Sequence, residues 1–339
     1  MFRKLVIISL LSILLIMVTG IGGFASEKGV VYYLSPNQFD EMQTSAAAMI
    51  KDSMEDAGYT CNIMVAGNED VNLQMNQMEN AISQNPKAII VAAVDGTAIC
   101  AGVNKARDAG IPVIAYDRTI SACSVDFTVN AGTKIMGIMA AQETIDLLKD
   151  KYGEVKGSVL DIMGDPGDSY TNLIEEGFRE VMEGYPDVKI ETKVTYGWEA
   201  STAANIADDY LLAYPDTDLI FAHADHMAAA IASVLETNGY AKGDIFLIGT
   251  AGMPMGLQLI REGWINATIE YSPQALAEGI AMFIDDIINK NEIELGSYEV
   301  MGISANLTEQ TYGLEMKFDG SVVDAKNVDD PNLWGNQVK

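Results

Sequence analysis

The chain has 339 residues, of which 49% are hydrophobic and 20% are charged, and its formal net charge is −27 at pH 7. A surplus of acid this large repels the phosphate backbone of nucleic acids, so nucleic acid is excluded as a partner and a soluble monomer is expected. The length exceeds what one hydrophobic core usually serves, so two lobes are expected.

Residues 1–25 have the pattern of a cleavable export signal. Arg3 and Lys4 precede an apolar stretch, residues 5–18, that is short for a membrane span, and small residues lead to a cleavage position after Ala25. An uncleaved anchoring helix is the alternative. The protein is therefore expected in the periplasm or on the outer face of the cytoplasmic membrane, touching the membrane only through a permease or through that helix.

The first half of the mature chain alternates short β-branched runs with longer amphipathic stretches, which is typical of parallel sheets built from βαβ units. Strands are predicted at residues 30–35, 61–65, 88–91 and 113–116. Helices are predicted at residues 42–54, 73–83 and 97–108, where apolar residues recur at helical spacing. These elements form a first lobe, residues 29–129, which we expect residues 271–293 to complete.

The same alternation begins again after residue 130 and predicts a second, related lobe. Its strands are predicted at residues 158–162, 189–194, 219–223, 246–249 and 267–269. Helices are predicted at residues 135–148, 170–183, 201–214, 227–238, 254–262 and 273–289. The expected architecture is α/β: two doubly wound parallel-sheet lobes joined by a multi-crossing hinge, with residues 130–270 and 294–318 in the second lobe and a polar C-terminal extension at 319–339.

Ligands of parallel sheets bind beyond the carboxyl ends of the strands, so the residues that follow each strand are the candidate site. In this chain those positions are polar or aromatic. The candidate ligand-binding residues are Asn37, Phe39, Asp117, Arg118, Asn130, Tyr170, Asn172, Trp198, His223, Asp225, Glu270 and Tyr271.

The adjacent pair Asp117 and Arg118 is the sharpest of these features. A carboxylate accepts hydrogen bonds and a guanidinium donates a pair of them, so together they can hold neighbouring hydroxyls of a ring. Trp198 can stack on the apolar face of a sugar. The alternatives are a surface ion pair for Asp117 and Arg118 and a core anchor for Trp198.

Residues 111–118, Ile-Pro-Val-Ile-Ala-Tyr-Asp-Arg, closely resemble the sugar-binding proteins of ABC importers, the ribose, galactose and xylose type of periplasmic binding protein. Further similarity lies in residues 177–178, 221–225, 249–252 and 267–273. The resemblance implies the type I periplasmic binding protein fold and sugar contacts from Asp117 and Arg118. It also implies a permease partner, no cofactor and no enzymatic activity.

The positions that match the ligand contacts of the ribose type carry different residues here: Asn172, Ala224, Ala251 and Tyr271. A second resemblance, to the autoinducer-2 and rhamnose-binding branch, lies in Cys100, Cys123, residues 130–133 and the C-terminal extension. The residues that hold autoinducer-2 in that branch have no match here. The ligand is therefore expected to be a small polar molecule, a sugar or sugar-like polyol, of open identity.

Three cysteines allow at most one internal disulfide, and export makes one plausible. Cys100 and Cys123 flank the same predicted strand and both match the second branch, so we expect them to pair, with Cys61 free and buried. Three reduced, buried thiols are the alternative.

Residues 223–226 contain the two histidines of the chain and invite a metal interpretation, since imidazole and carboxylate are common zinc ligands. Neighbours on one short turn rarely converge on one ion, so no metal site is expected. Asp225 or His226 is expected to line the cleft or cap the helix that follows.

Two other functions stay open from the sequence. One is a sensory module that presents its ligand to a receptor kinase or chemoreceptor. The other is a cleft hydrolase using Asp117 and Glu270, although no serine elbow, phosphate-binding glycine loop or Cys-His pairing is present in the sequence.

Overall fold

A computed structural model describes residues 28–39 and 41–338. The chain forms two α/β lobes, each built on its own sheet, which confirms the predicted fold class. The predicted signal segment, residues 1–25, lies outside the described residues. Within the described part of the chain, no helix is both long and apolar enough to cross a membrane.

The first lobe contains an eight-stranded sheet in the order β11-β12-β13-β5-β4-β3-β1-β2. Neighbours from β13 to β2 pair in parallel, and β11 to β13 form an antiparallel meander at the edge. Its strands are β1 (Val30–Ser35), β2 (Thr60–Val65), β3 (Ala88–Val91), β4 (Val113–Tyr116), β5 (Phe127–Asn130), β11 (Gly296–Val300), β12 (Ile303–Gln310) and β13 (Gly313–Phe318). Its helices are α1 (Glu41–Asp56), α2 (Val71–Ser83), α3 (Cys100–Asp108) and α9 (Pro273–Asn289).

The second lobe contains a six-stranded sheet in the order β14-β10-β9-β8-β6-β7, parallel except for the edge strand β14. Its strands are β6 (Gly157–Met163), β7 (Val188–Val194), β8 (Leu219–Ala222), β9 (Phe246–Ala251), β10 (Ala267–Glu270) and β14 (Ser321–Asp324). Its helices are α4 (Thr133–Tyr152), α5 (Ser169–Met182), α6 (Ala200–Ala213), α7 (Asp225–Thr237), α8 (Pro254–Glu262) and α10 (Trp334–Gln337), with a 3₁₀ turn at Tyr196–Trp198.

The placement of residues 294–318 differs from the sequence prediction. Strands β11 to β13 extend the first sheet, through the pairing of β13 with β5, rather than the second. The physical reason is that apolar and polar residues alternate along β12. Ala305 and Leu307 are buried while Ser304 and Asn306 are exposed, so the apolar face of the strand needs a covering layer. Helix α9 of the first lobe supplies it, with Phe283 contacting the rings of Phe127 and Tyr298.

The segment predicted as a polar C-terminal extension is partly structural. Strand β14 pairs antiparallel with β10 at the edge of the second sheet. Trp334 is fully buried, and its Nε1 donates a hydrogen bond of 2.7 Å to the carbonyl oxygen of Ala251. The chain's last described residues therefore belong to the second lobe.

The described chain passes between the two sheets at residues 131–132, 271–272 and 319–320. These three crossings correspond to the expected multi-crossing hinge.

Helices α4 and α5 meet closely at two glycines, and this contact holds the start of α5 beside the hinge. A Cβ atom on Gly137 would lie 2.0 Å from the carbonyl oxygen of Ile174, and one on Gly177 would lie 2.0 Å from that of Lys134. Only hydrogen fits at either position, so the two helix backbones approach each other as closely as glycine permits.

The predicted disulfide is present: Cys100 and Cys123 are bonded, with their Cα atoms 5.7 Å apart. It ties the start of α3 to the loop that follows β4. Cys61 is free and buried, and burial raises the pKa of its thiol to about 12.

Candidate functional site

A cavity of about 30 Å³ lies between the two lobes, at the carboxyl ends of their parallel strands. It is lined by Met42, Gln43, Asp117, Arg118, Asp168, Tyr170, Trp198, His223, Ala224, His226, Ala251, Met253 and Tyr271. That space holds about two water molecules, so a sugar fits only with the lobes slightly farther apart.

Arg118 is the centre of a buried charge network in the first lobe. Its Nη2 donates to Glu69 Oε1 at 2.8 Å, and its Nη1 donates to Glu69 Oε2 and to the carbonyl oxygen of Ala93, both at 3.2 Å. Asn37 Nδ2 donates to Glu69 Oε1 at 2.7 Å. Glu69 and Asn37 therefore fix the guanidinium plane from behind.

Asp168 brings a carboxylate from the second lobe to the same guanidinium. Its Oδ2 lies 2.9 Å from Arg118 Nε, while its Oδ1 accepts a hydrogen bond from the backbone N–H of Tyr170 and caps α5. Burial raises the pKa of Asp168 to about 7, with Glu69 and Asp117 adding to the rise and Arg118 opposing it. The ion pair between Arg118 and Asp168 bridges the two lobes.

Four residues of the site have positive φ values that are costly for residues other than glycine: Glu69 (φ 57°), Asp117 (φ 63°), Trp198 (φ 57°) and Ala251 (φ 95°). The backbone N–H of Asp117 donates to Val129 at 2.8 Å, which fixes the turn after β4. Tyr271 in the hinge donates its hydroxyl to the Asp117 carboxylate. These contacts hold the strained turn in place.

Three aromatic side chains form one wall of the cavity. The ring centroid of Tyr170 lies 6.0 Å from that of Trp198 and 5.8 Å from that of Tyr271. Gly164 makes room for the indole, since a Cβ there would lie 2.2 Å from it. Trp198 is 5% exposed, and its Nε1 has no hydrogen-bond partner among the described residues. The indole N–H is thus a donor at the cavity.

His223 belongs to a buried network behind this wall. Thr171 Oγ1 lies 2.8 Å from its Nδ1, and Asp161 Oδ1 lies 3.0 Å from its Nε2. Glu175 hydrogen-bonds Asp161, and burial followed by the charge of Asp161 raises the pKa of Glu175 to about 8. Arg179 Nε donates to Glu175 at 2.7 Å.

Asp161, Glu175 and His223 offer ligand atoms within 4.8 Å of one another, so this set could hold a metal ion. It differs from the motif considered in the sequence, residues 223–226. Arg179 already pairs with Glu175 and His223 already bonds to Asp161, so the set is accounted for as a hydrogen-bonded network.

Asp225 and His226 were expected to line the cleft or cap α7. Neither side chain caps the helix, whose N-cap residue is Ala224 and which has no side-chain cap hydrogen bond. Asp225 is fully buried; its Oδ2 accepts from the backbone N–H of Met253, and burial raises its pKa to about 7. His226 Nε2 lies 2.9 Å from the carbonyl oxygen of Trp198 and so supports the aromatic wall.

The structure brings together six of the predicted ligand-binding residues along the cavity: Asp117, Arg118, Tyr170, Trp198, His223 and Tyr271. Asn37 acts on Arg118 through Glu69. Phe39 is 43% exposed at the cleft entrance, where its ring faces that of His226.

Four predicted residues lie away from the lining. Asn130 and Asn172 border a separate groove beside the hinge, and Asp225 is enclosed in the second lobe. Glu270 accepts a hydrogen bond from Ser321 at 3.3 Å, and burial raises its pKa to about 7. A hydrolase that uses Asp117 with Glu270 therefore has one of its two carboxyls outside the cavity lining.

Sequence reasoning missed Glu69 and Asp168. Asp168 had a readable signal, since an acidic residue before Ser169 and Tyr170 is a common helix N-cap. Glu69 had none, because its burial depends on a left-handed turn before α2 that only the folded loop shows.

Residues 29–292 match the family model described as "Periplasmic binding protein domain". Among curated proteins, the chain is 29% identical to the multiple sugar-binding periplasmic receptor ChvE of Rhizobium radiobacter, over 65% of this chain and 66% of that protein. It is 27% identical to the ribose import binding protein RbsB of Bacillus subtilis, over 68% and 73%.

Among solved structures, the fold is similar to a carbohydrate transporter solute binding protein from Agrobacterium radiobacter in complex with D-arabinose. The TM-score is 0.79 at 19% identity, covering 91% of this chain and 98% of that one. The match spans both lobes, and the family model covers most of the chain. This chain belongs to the periplasmic binding protein family.

Proposed function

We propose that the protein captures a sugar or sugar-like polyol in the cavity between its lobes and delivers it to the permease of an ABC importer. The observation that carries the proposal is the meeting of Asp117 and Arg118 from the first lobe with an aromatic wall from the second. Charged hydrogen-bonding groups hold hydroxyls, and aromatic faces cover the apolar side of a ring.

Binding couples to closure because the two halves of the site belong to different lobes. A ligand between them contacts both only in the closed form, and so it shifts the population toward closure. In this proposal the permease recognises that closed form on the outer side of the cytoplasmic membrane. A sensory module would use the same cleft and closure. The neighbouring genes discriminate between the two functions, since permease and ATPase genes there would favour uptake.

The experiment is a thermal-shift screen over monosaccharides, deoxy sugars, polyols and nucleosides, followed by calorimetric titration of the hits. A ligand at a hundred times its Kd stabilises the fold by about 2.7 kcal/mol, which raises the melting temperature. Recovery of the bound hit unchanged after long incubation separates capture from hydrolysis. Absence of any sugar or polyol hit contradicts the proposal.

Trp198→Ala tests the aromatic wall in the same titration. The change removes stacking area, so cyclic sugars should lose affinity more than linear polyols, by about 1 to 3 kcal/mol. Trp264→Ala is the matched control, since Trp264 lies outside the cavity lining and contacts Lys242. Equal losses for cyclic and linear ligands would contradict stacking.

A further inference from the structure

The cavity wall carries more negative than positive charge. Glu69, Asp117 and Asp168 all act on the single guanidinium of Arg118, and all three are at least nine-tenths buried. Among the described lining residues, Arg118 is the one lysine or arginine. Asp117 and Asp168 line the cavity and Glu69 lies behind Arg118, so three buried carboxylates surround one permanent cation.

The two histidines of the lining hydrogen-bond groups other than the carboxylates of Asp117 and Asp168. Both ring nitrogens of His223 are engaged, one by Thr171 and the other by Asp161, which is itself acidic. His226 directs Nε2 at the carbonyl oxygen of Trp198. Two further acids lie close by: the charge of Asp225 acts on Tyr170, and Glu41 in turn acts on Asp225.

The pKa of Asp168 is raised by burial, and the neighbouring carboxylates contribute to the rise. Burial is its largest cause, and the negative charges of Glu69 and Asp117 add to it despite the adjacent guanidinium. A carboxyl beside an arginine normally has a lowered pKa. Here burial outweighs the guanidinium, and the charges of Glu69 and Asp117 add to the rise, so a second cation beside Asp168 would be favourable.

The aromatic wall can attract a cation through the faces of its rings, just as it can stack on a sugar ring. Tyr170, Trp198 and Tyr271 border the same cavity as the carboxylates of Asp117 and Asp168. An ammonium group is attracted both by the faces of aromatic rings and by carboxylates, and the attraction is stronger where water is excluded.

We propose that the preferred ligand is a sugar or polyol that carries a protonated amine, with the ammonium group placed between Asp168 and the aromatic wall. The inference rests on the proposed function and narrows its substrate class. A neutral sugar satisfies the hydrogen bonds of the carboxylates but leaves their excess charge, whereas an ammonium group removes one unit of it. An anionic sugar adds to the excess.

The test is calorimetric titration with matched sets: glucose, glucosamine and N-acetylglucosamine; the corresponding galactose and mannose sets; and sorbitol with 1-amino-1-deoxysorbitol. The best amine should bind about tenfold or more tightly than its neutral parent, the size expected for a charge-assisted bond with a cation–π contact. N-acetylation removes the charge and should abolish that advantage.

Asp168→Asn is the diagnostic variant, because the amide oxygen of asparagine can keep the cap of α5 while the charge and the ion pair with Arg118 are removed. It should cut the preference for the amine over its neutral parent at least threefold, and this ratio is the readout because loss of the pair with Arg118 can change the affinity for both ligands. Asp244→Asn is the matched control: this exposed carboxylate also accepts a backbone N–H in the second lobe, from Ala241. Its preference should equal that of the wild type.

Each failure points to a different conclusion. Neutral parents that bind as tightly as their amines overturn the inference and leave the proposed function standing. The same holds if neutral sugars bind only when Ca²⁺ is added, since the metal ion rather than an amine would then supply the positive charge. An amine preference that survives Asp168→Asn overturns the assigned position of the ammonium group. Binding by no member of any set contradicts the proposed function as well.

Discussion

Arg118, which we propose binds the ligand, also has a structural role, because two buried carboxylates pair with it. Arg118→Ala removes charge-assisted hydrogen bonds to ligand and leaves Glu69 and Asp168 without their counter-charge. We expect a loss of binding of about 2 to 4 kcal/mol and a loss of fold stability of about 3 to 5 kcal/mol. Calorimetry and urea unfolding measure the two effects.

The control for this substitution is Arg107→Ala. Arg107 pairs with Asp126 at 3.2 Å in the same lobe, but both side chains are about a third exposed. A pair this accessible contributes about 1 kcal/mol or less to stability. Equal destabilisation by the two substitutions would contradict the buried network around Arg118.

Asp225 gives the fold a pH-dependent weakness. Burial raises its pKa to about 7, above an unfolded value of about 3.9. The fold therefore loses stability as the pH rises between those two values, because the unfolded chain ionises more readily. Glycines 249 and 256 enclose its carboxyl, which leaves room for an isosteric amide.

Asp225→Asn should therefore become more stable relative to the wild type as the pH rises from 5 to 7, by up to about 1.4 kcal/mol per pH unit. Urea unfolding at several pH values measures this difference. Asp244→Asn, at an exposed site, should show none of it, and a flat difference for Asp225→Asn would contradict the assigned burial cost.

At the scale of elements, the contact between α4 and α5 affects the position of two cavity residues. Asp168 caps α5, and Tyr170 lies in its first turn. Gly177→Ala places a methyl 2.0 Å from the Lys134 carbonyl oxygen and forces the helices apart. We expect about 1 to 3 kcal/mol of destabilisation, with weaker ligand binding.

Thermal unfolding and calorimetry measure both consequences. Gly184→Ala, just beyond the same helix, should be nearly neutral, since its nearest neighbour beyond the adjacent residues lies 3.3 Å away in the preceding turn. A Gly177→Ala protein with native stability and affinity would show that the helices can separate freely.

Elements with a clear hydrophobic pattern could be predicted from the sequence. Strands that depend on pairing with neighbouring strands could not. Ala88–Val91 and Val113–Tyr116 are continuous apolar runs, and both form buried central strands. Phe127–Asn130 has four residues and a polar end, so its strand depends on partners on both sides. Asp117 and Arg118 were predicted from their position after a strand and from their family motif, whereas Glu69 became visible only through its contact with Arg118.

At the scale of the whole molecule, the three crossings allow the lobes to rotate as bodies about the hinge. Small-angle scattering should show a smaller radius of gyration when the ligand identified by the screen is added. Trp198→Ala at the same ligand concentration should compact less, because it binds less. An unchanged radius for the wild type at saturation would contradict closure.

Strand β14 and Trp334 also protect the protein against self-association. An exposed strand edge pairs readily with another chain, and β14 covers the edge of β10 while Trp334 occupies a buried position beside Ala251. A proteolytic cut at residues 319–320, where the chain enters the second lobe for the last time, would free both. The clipped protein would then expose an unpaired strand and an apolar hollow, and oligomers joined through β10 would follow.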